Sequence, residues 1–270
     1  MPSAASLISL PPGDIHLWFC FHGDAGNPEL TAASRALLSA EELSKQARFH
    51  FARDRHRHLL TRTLVRSVLS RYAPVAPQTW QFATNAFGRP RIGTCDAREA
   101  VGLNFNLSHT DGLIVLAVAR HIELGVDVEN VERKAALDVA NHYFSPAEAQ
   151  ALDALPSTDQ AERFFELWTL KESYIKARGL GLQIPLDSFG FALDDPGTIG
   201  FALADSRTGD DAVQRWHYWQ LRPTPKHLVA LCAATDPSTA ATTRIVCREI
   251  APLEWDRPLA APTTRTSAGI

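Results

Sequence analysis

Two stretches of this chain carry charged side chains at spacings that chemistry can use. In Gly125-Val-Asp-Val-Glu129 strand alternation puts Gly125, Asp127 and Glu129 on one face and Leu124, Val126 and Val128 on the other. Two carboxylates about 7 Å apart along a strand repel unless they are solvated or share a cation, and a hard divalent ion favours such oxygen ligands. The wet face of an ordinary half-exposed strand would read the same way. In Phe164-Phe-Glu-Leu-Trp-Thr-Leu-Lys-Glu-Ser-Tyr-Ile-Lys-Ala177 the apolar Phe164, Leu167, Trp168, Tyr174 and Ile175 anchor a helix, and Glu172 and Lys176 share a face at i, i+4. One reading is a surface salt bridge of about 0.3 kcal/mol. The other gives Glu172 to a metal or a nucleophile and Lys176 to a phosphate.

Three further segments could bind anions. Phe105-Asn-Leu-Ser-His-Thr110 runs a strand into a turn that exposes Ser108 and His109. Adjacent side chains do not meet as nucleophile and base, so His109 either donates to a phosphate or packs in the turn. Phe87-Gly-Arg-Pro-Arg91 offers two guanidiniums at a bend, a phosphate contact or a solvated basic turn. Between Lys45 and Arg71 stand eight basic residues against the single acid Asp54, a local charge of +7 that leaves −10 for the rest. That segment is built to meet negative charge. No GxxxxGK[ST], no GxGxxG leading into a helix, no HExxH and no GxSxG occurs, so P-loop, Rossmann, zincin and nucleophile-elbow chemistries are unsupported.

The elements that must position these residues can be read from periodicity. A strand is expected at 15–21, ended by His-Gly-Asp-Ala-Gly-Asn-Pro. Ser39 with Glu42 has the capping-box pattern of a helix start. A second helix over 54–72 should bury Leu60, Leu64 and Val68 and turn Arg55, Arg62 and Arg66 outward. Strands at 103–107 and 113–119 follow. The order then restarts: strand 124–130, helices at 135–143 and 145–155 with Ser145 as cap and Glu148 at N3, and a long helix at 160–177 ended by Gly179 and Gly181. Strands at 189–193, 214–221 and 227–233 complete it. The second half roughly repeats the element order of the first, which implies a pseudo-duplicated α+β fold with a cleft between the halves.

A chain of 270 residues with 45% hydrophobic and 21% charged residues has the composition of a globular protein with a sizeable core. The longest apolar runs are too short to span a bilayer, and the N-terminus lacks a signal-peptide pattern; a soluble, cytoplasmic protein is expected. A net charge of −3 argues against a general nucleic-acid or membrane binder. Cys20, Cys95, Cys232 and Cys247 lie far apart with no CxxC, which indicates reduced core residues. The stretch 258–270, rich in Pro, Thr and Ala, reads as a disordered tail.

Taken in order, the basic helix pair, the GRPR turn, NLSH, Gly125-Val-Asp-Val-Glu129 and Trp168-Thr-Leu-Lys-Glu-Ser-Tyr-Ile-Lys176 resemble the 4′-phosphopantetheinyl transferases of the long, monomeric, pseudo-duplicated Sfp-like branch. The likeness runs over about residues 39–233, and the last two motifs at their spacing are its most specific part. It implies an α+β fold of two similar subdomains, an N-terminal one over 1–123 and a C-terminal one over 124–257, with the active site between them. It also implies transfer of the phosphopantetheine arm of coenzyme A onto a serine of an acyl, peptidyl or aryl carrier protein, with adenosine 3′,5′-bisphosphate as the other product.

By position, Asp127, Glu129 and Glu172 resemble the ligands of a magnesium ion, or of manganese in its place. Glu172 resembles the general base toward the carrier serine, and Lys176 the residue that neutralises the pyrophosphate. Ser108 and His109 match the family's contacts to the coenzyme A phosphates, and Arg89 matches a residue near the adenine that is often lysine. Lys45, Arg57 and His58 fall where the family presents donors to the 3′-phosphate. The sequence departs from the family at Glu42, where some members carry a basic residue, and at His58, where a hydroxyl residue can occur. Arg48 and Arg53 are left to solvent or to the acidic carrier, and the end of the long helix with the 179–182 turn is the expected carrier groove. Two rival readings use the same residues: a magnesium-dependent phosphoesterase that activates water at the carboxylates, and a nucleotide or RNA-binding module that stacks bases on Phe49, Phe51 and Tyr72.

Overall fold

The computed structural model describes residues 7–23, 28–203, 215–235 and 243–267. Strand β1 (Ile15–Phe21), aromatic and β-branched as strands prefer, is followed by helices α1 (Pro28–Leu37), α2 (Ala40–Arg48) and α3 (Ala52–Leu69). A short hairpin, β2 (Phe82–Thr84) and β3 (Pro90–Ile92), precedes β4 (Leu103–Thr110) and β5 (Leu113–Arg120). The second half holds β6 (Leu124–Asn130), α4 (Leu137–Tyr143), α5 (Pro146–Asp153) and α6 (Ser157–Arg178). It continues with β7 (Phe189–Ala192), β8 (Gly200–Leu203), β9 (Trp216–Thr224) and β10 (His227–Ala234). The chain then adds β11 (Ile245–Ala251), β12 (Trp255–Pro258) and β13 (Thr263–Thr266).

The main strands form two sheets, in the orders β12-β11-β1-β5-β4 and β13-β9-β10-β6. Their facing sides share one core: Ile15, Leu17 and Phe19 of β1 and Val115 and Ala117 of β5 meet Val126 and Val128 of β6 and Val229 and Leu231 of β10. Each sheet has a helix on its other side. Leu64, Val65 and Val68 of α3 cover Trp18, Ile114 and Leu116, while Phe164, Leu167 and Tyr174 of α6 cover Leu228, Ala230 and Cys232. The result is a helix, sheet, sheet, helix stack. Edge strands β4 and β6 lie side by side across the seam without a ladder. Side chains of β4 do that work: Asn106 Oδ1 accepts from the Val126 N–H (2.9 Å) and Thr110 Oγ1 from the Asn130 N–H (3.2 Å).

Both expected capping boxes are formed, Ser39 with Glu42 and Ser145 with Glu148. The four cysteines are free, with Cys20 and Cys232 buried. Three expectations are corrected. Arg66 does not face out: it is 2% exposed, because Glu42 Oε2 accepts from its Nε and Nη2 while its Nη1 donates to the Pro77 and Trp80 carbonyls. Of the stretch 258–270, the described part is no disordered tail, since Thr263, Arg265 and Thr266 pair with β9; residues 268–270 lie outside the described residues. Nor does the second half keep 124–257 to itself, because β11 returns to the first sheet and lies parallel to β1. In both cases backbone hydrogen bonding to an open strand edge recruits the segment: 263–266 is a polar run with no apolar periodicity, whereas β11 also buries Ile250.

Candidate active site

Gly125 is where the site begins. A Cβ there would stand 2.1 Å from the Ser173 carbonyl and 2.3 Å from the Ala177 nitrogen, so the backbone of α6 rests directly on β6. Asp127 and Glu129 share the face of Gly125, and the close approach brings the 172–176 turn of α6 over them. Lys176 donates from Nζ to Asp127 Oδ1 (2.6 Å) and to Ser108 Oγ (2.9 Å), and Ser108 Oγ donates to the same Oδ1 (2.9 Å). Strand β4, strand β6 and helix α6 thus meet at one carboxylate.

Of the two sequence readings, the surface salt bridge within α6 is not what forms: Lys176 pairs across elements with Asp127. Neither is β6 a wet strand, for Asp127 is 5% exposed. The three expected metal ligands lie around this point but do not stand as a finished cage; among the described residues no group of three Asp, Glu, His or Cys side chains is gathered for an ion. Lys176 holds Asp127, and Arg133 donates to Glu129 (2.9 Å). The carboxylates nevertheless feel one another. Burial first, then the Asp127 charge, push Glu129 up to about 7, with a smaller push from Glu172. Burial and the same Asp127 charge raise Glu172. Asp127 Oδ2 is buried with no hydrogen-bond partner, an expensive condition for a carboxylate oxygen. An orphaned buried oxygen among three mutually repelling carboxylates is a donor set that suits a hard cation with oxygen ligands.

A groove of about 310 Å³ opens from Glu172 and Lys176, walled by Phe87, Pro90, Leu107 and Ile175 and by the Gly179 and Gly181 turn. Its mixed lining, apolar with charges at one end, suits a long thin molecule with an anionic group. Arg89 lines it too, but its guanidinium donates to the Ala177 carbonyl (2.5 Å) and the Leu124 carbonyl (3.0 Å). His109, at the exposed end of β4, is pushed below the ordinary histidine value by the protein packed against it and by the Arg57 charge, with smaller contributions from Lys176 and His22.

A second cavity, of about 500 Å³, lies between α2, α3 and the β2–β3 hairpin and is lined by Lys45, His58, Arg62, Arg66 and Glu42. Lys45 and His58 are therefore brought together as expected. Arg57 is not with them; it is paired with Asp54 (2.8 Å) and lies close enough to His109 and His22 to depress both. Sequence reasoning missed Arg62, whose buried Nε has no hydrogen-bond partner, and Asn106, which serves the seam. It also left Lys171 of the Trp168–Lys176 motif without a role. This lysine is fully buried, paired with Glu148 (2.7 Å), and donates to the Leu186 and Phe189 carbonyls, so it ties α6 to α5 and β7.

A carboxylate-rich seam between two helix-covered sheets, beside a groove with charges at one end, is a site suited to the chemistry of a phosphorylated substrate. Comparison with known proteins agrees. Residues 25–121 match the 4′-phosphopantetheinyl transferase N-terminal family, and residues 123–232 match the 4′-phosphopantetheinyl transferase superfamily. The 4′-phosphopantetheinyl transferase Sfp of Bacillus subtilis (strain 168) is 35% identical over 173 residues, 64% of this chain and 74% of that protein. The 4′-phosphopantetheinyl transferase HetI of Nostoc sp. is 34% identical over 177 residues, 65% and 73% of the two chains. A phosphopantetheinyl transferase of Thraustochytrium sp. is 27% identical over 259 residues, 90% and 87%. The chain belongs to the 4′-phosphopantetheinyl transferase family.

Proposed function

We propose that this enzyme transfers the 4′-phosphopantetheine arm of coenzyme A to a serine of an apo acyl, peptidyl or aryl carrier protein, releasing adenosine 3′,5′-bisphosphate. The observation that carries the reading is the convergence of Asp127, Glu172 and Lys176 at the charged end of the groove. Glu172, made more basic by burial and by the Asp127 charge, is suited to take the proton of the serine hydroxyl. The serine oxygen then bonds to the β-phosphorus of coenzyme A, and the bond to adenosine 3′,5′-bisphosphate breaks. Lys176 neutralises the charge that grows on the departing phosphate.

Asp127, Glu129 and Glu172 are the residues that would hold a magnesium or manganese ion. When bound, such an ion supplies charge neutralisation at the pyrophosphate. Ser108 and His109 are assigned to the coenzyme A phosphates, Lys45 and His58 to the 3′-phosphate with Arg57 at its margin, and the apolar groove walls to the pantetheine arm. The carrier approaches over the end of α6 and the 179–181 turn. The reading takes the enzyme to be a cytoplasmic monomer without nucleic-acid or membrane partners; no helix among the described residues is long and apolar enough to cross a membrane.

The test is mass spectrometry of an apo carrier protein incubated with the enzyme, coenzyme A and magnesium. A mass gain of one phosphopantetheine arm, lost when the metal is chelated and lost in Asp127→Ala, is expected. Release of inorganic phosphate with no gain on the carrier would point to a phosphoesterase instead.

A further inference from the structure

The last carbonyls of a helix have no intrahelical partner, and those of α6 close the active-site groove. Gly179, at φ 64°, turns the chain out of the helix, and its N–H is bonded to the Ile175 carbonyl (2.9 Å). Two carbonyls of this turn are bound from outside, both by the β2–β3 turn. Arg89 Nη1 donates to the Ala177 carbonyl (2.5 Å), and Asn85 Nδ2 donates to the Gly179 carbonyl (2.6 Å). The second arm of the guanidinium, Nη2, donates to the Leu124 carbonyl (3.0 Å). One side chain therefore joins the residue after Lys176 to the first residue of β6, the strand that carries Asp127.

The turn is built rigid before it reaches the helix. Asn85 Oδ1 accepts from the N–H groups of Phe87 and Arg89 (2.9 Å each), and the Asn85 N–H donates to the Arg89 carbonyl (3.0 Å). Gly179 leaves the room needed, since a Cβ there would sit 2.7 Å from Arg89 Cδ. A cation at a helix C-terminus is also favoured by the helix dipole. The planar fork of Arg89 sends a separate nitrogen to each of two carbonyls on different elements, an arrangement that the single ammonium nitrogen of a lysine does not reproduce.

We propose that Asn85 and Arg89 form a clasp on the end of α6 that holds Glu172 and Lys176 in register with Asp127, making Arg89 a positioning residue rather than a reader of the adenine. The proposal rests on the transferase reading above. Misplacing a reacting group by about 1 Å costs on the order of a hundredfold in rate, so loosening the clasp acts on turnover, not on coenzyme A binding.

The experiment compares the full-length protein with Asn85→Ala, Arg89→Lys and Arg89→Ala in transfer from coenzyme A to an apo carrier with magnesium. The expected result is a fall in kcat of about tenfold or more in each variant, with KM for coenzyme A and inhibition by adenosine 3′,5′-bisphosphate changed less than about twofold. Asn85 does not line the groove, so Asn85→Ala carries the test if Arg89→Ala fails to fold. A rise in KM and weaker inhibition by the bisphosphate with kcat intact would overturn the clasp and return Arg89 to the adenine. Transfer by the wild type with all three variants unaltered would sink the clasp alone, whereas no transfer by the wild type would sink the underlying reading and this role with it.

Discussion

Arg62 is the side chain whose surroundings most call for an anion. Its Nε is buried without a partner, its nearest acid, Glu42, stands 4.0 Å away and is already bonded to Arg66, and burial lowers its pKa. A phosphate in the cavity shared with Lys45 and His58 would relieve that deficit, and a hydrogen bond to a charged group is worth about 1.5–3 kcal/mol. Arg62→Ala should therefore raise KM for coenzyme A by roughly tenfold or more, with a much smaller effect on dephospho-coenzyme A, which lacks the 3′-phosphate. Arg57→Ala, removing a residue already paired with Asp54, should move either value less. Equal losses on both substrates would remove the 3′-phosphate from this cavity. The acidic residues and Lys176 were legible in the sequence because their spacing is local. Arg62 was not: its role depends on Glu42 being consumed by Arg66, 24 residues away, and no pattern along one helix reports that. Lys176 shows the same limit, since i, i+4 spacing points it at Glu172 whereas the neighbouring strand supplies Asp127.

At the scale of elements, the site depends on how closely α6 approaches β6. Gly125→Ala tests this contact. The added methyl would meet the backbone of Ser173 and Ala177, not a flexible side chain tip, so helix and strand must separate. Overpacking of this kind typically costs about 1–3 kcal/mol, and the shift falls on the turn that carries Glu172 and Lys176. The urea midpoint should drop and transfer should fall further than the fraction unfolded explains. A variant with wild-type activity would show that the close approach is not needed. The alternation of 124–130 was enough to place Gly125 on the face of Asp127. What it could not say is that a helix would press on that face. The major strands and α6 were readable because apolar periodicity marks them and Gly179 ends α6, and capping boxes mark α2 and α5. The β2–β3 hairpin, with three residues per strand, was read only as a turn because so short a run leaves no periodic signal.

For the whole molecule, the unexpected feature is the route of the C-terminal segment, which completes both sheets in turn. Strand β11 lies between β12 and β1 in the first sheet, with Ile250 in its core, and Asp256 of β12 accepts from Arg71 and Arg248. Strand β13 then crosses to the second sheet, where Arg265 reaches Glu166 of α6 (3.2 Å) and Ser267 Oγ accepts from the Tyr218 N–H (2.8 Å). A polar Thr-Thr-Arg-Thr run has no apolar face to announce it, so composition suggested disorder; its order comes from the open edge of β9. Two truncations separate the contributions. A chain stopped after residue 261 loses β13 alone, several backbone hydrogen bonds of about 1 kcal/mol net each, and should unfold at a clearly lower urea concentration while keeping measurable transfer, because Asp127 lies on β6 at the opposite edge of that sheet, where Lys176 of α6 meets it. A chain stopped after residue 243 also loses β11 and β12, uncovering the edge of β1 and part of the core beneath α3, and should be recovered mainly as aggregate. An unchanged urea midpoint for the first truncation would mean that 262–270 contributes nothing to the second sheet, and a soluble, cooperatively folding second truncation would mean that the first half closes its core without the returning strands.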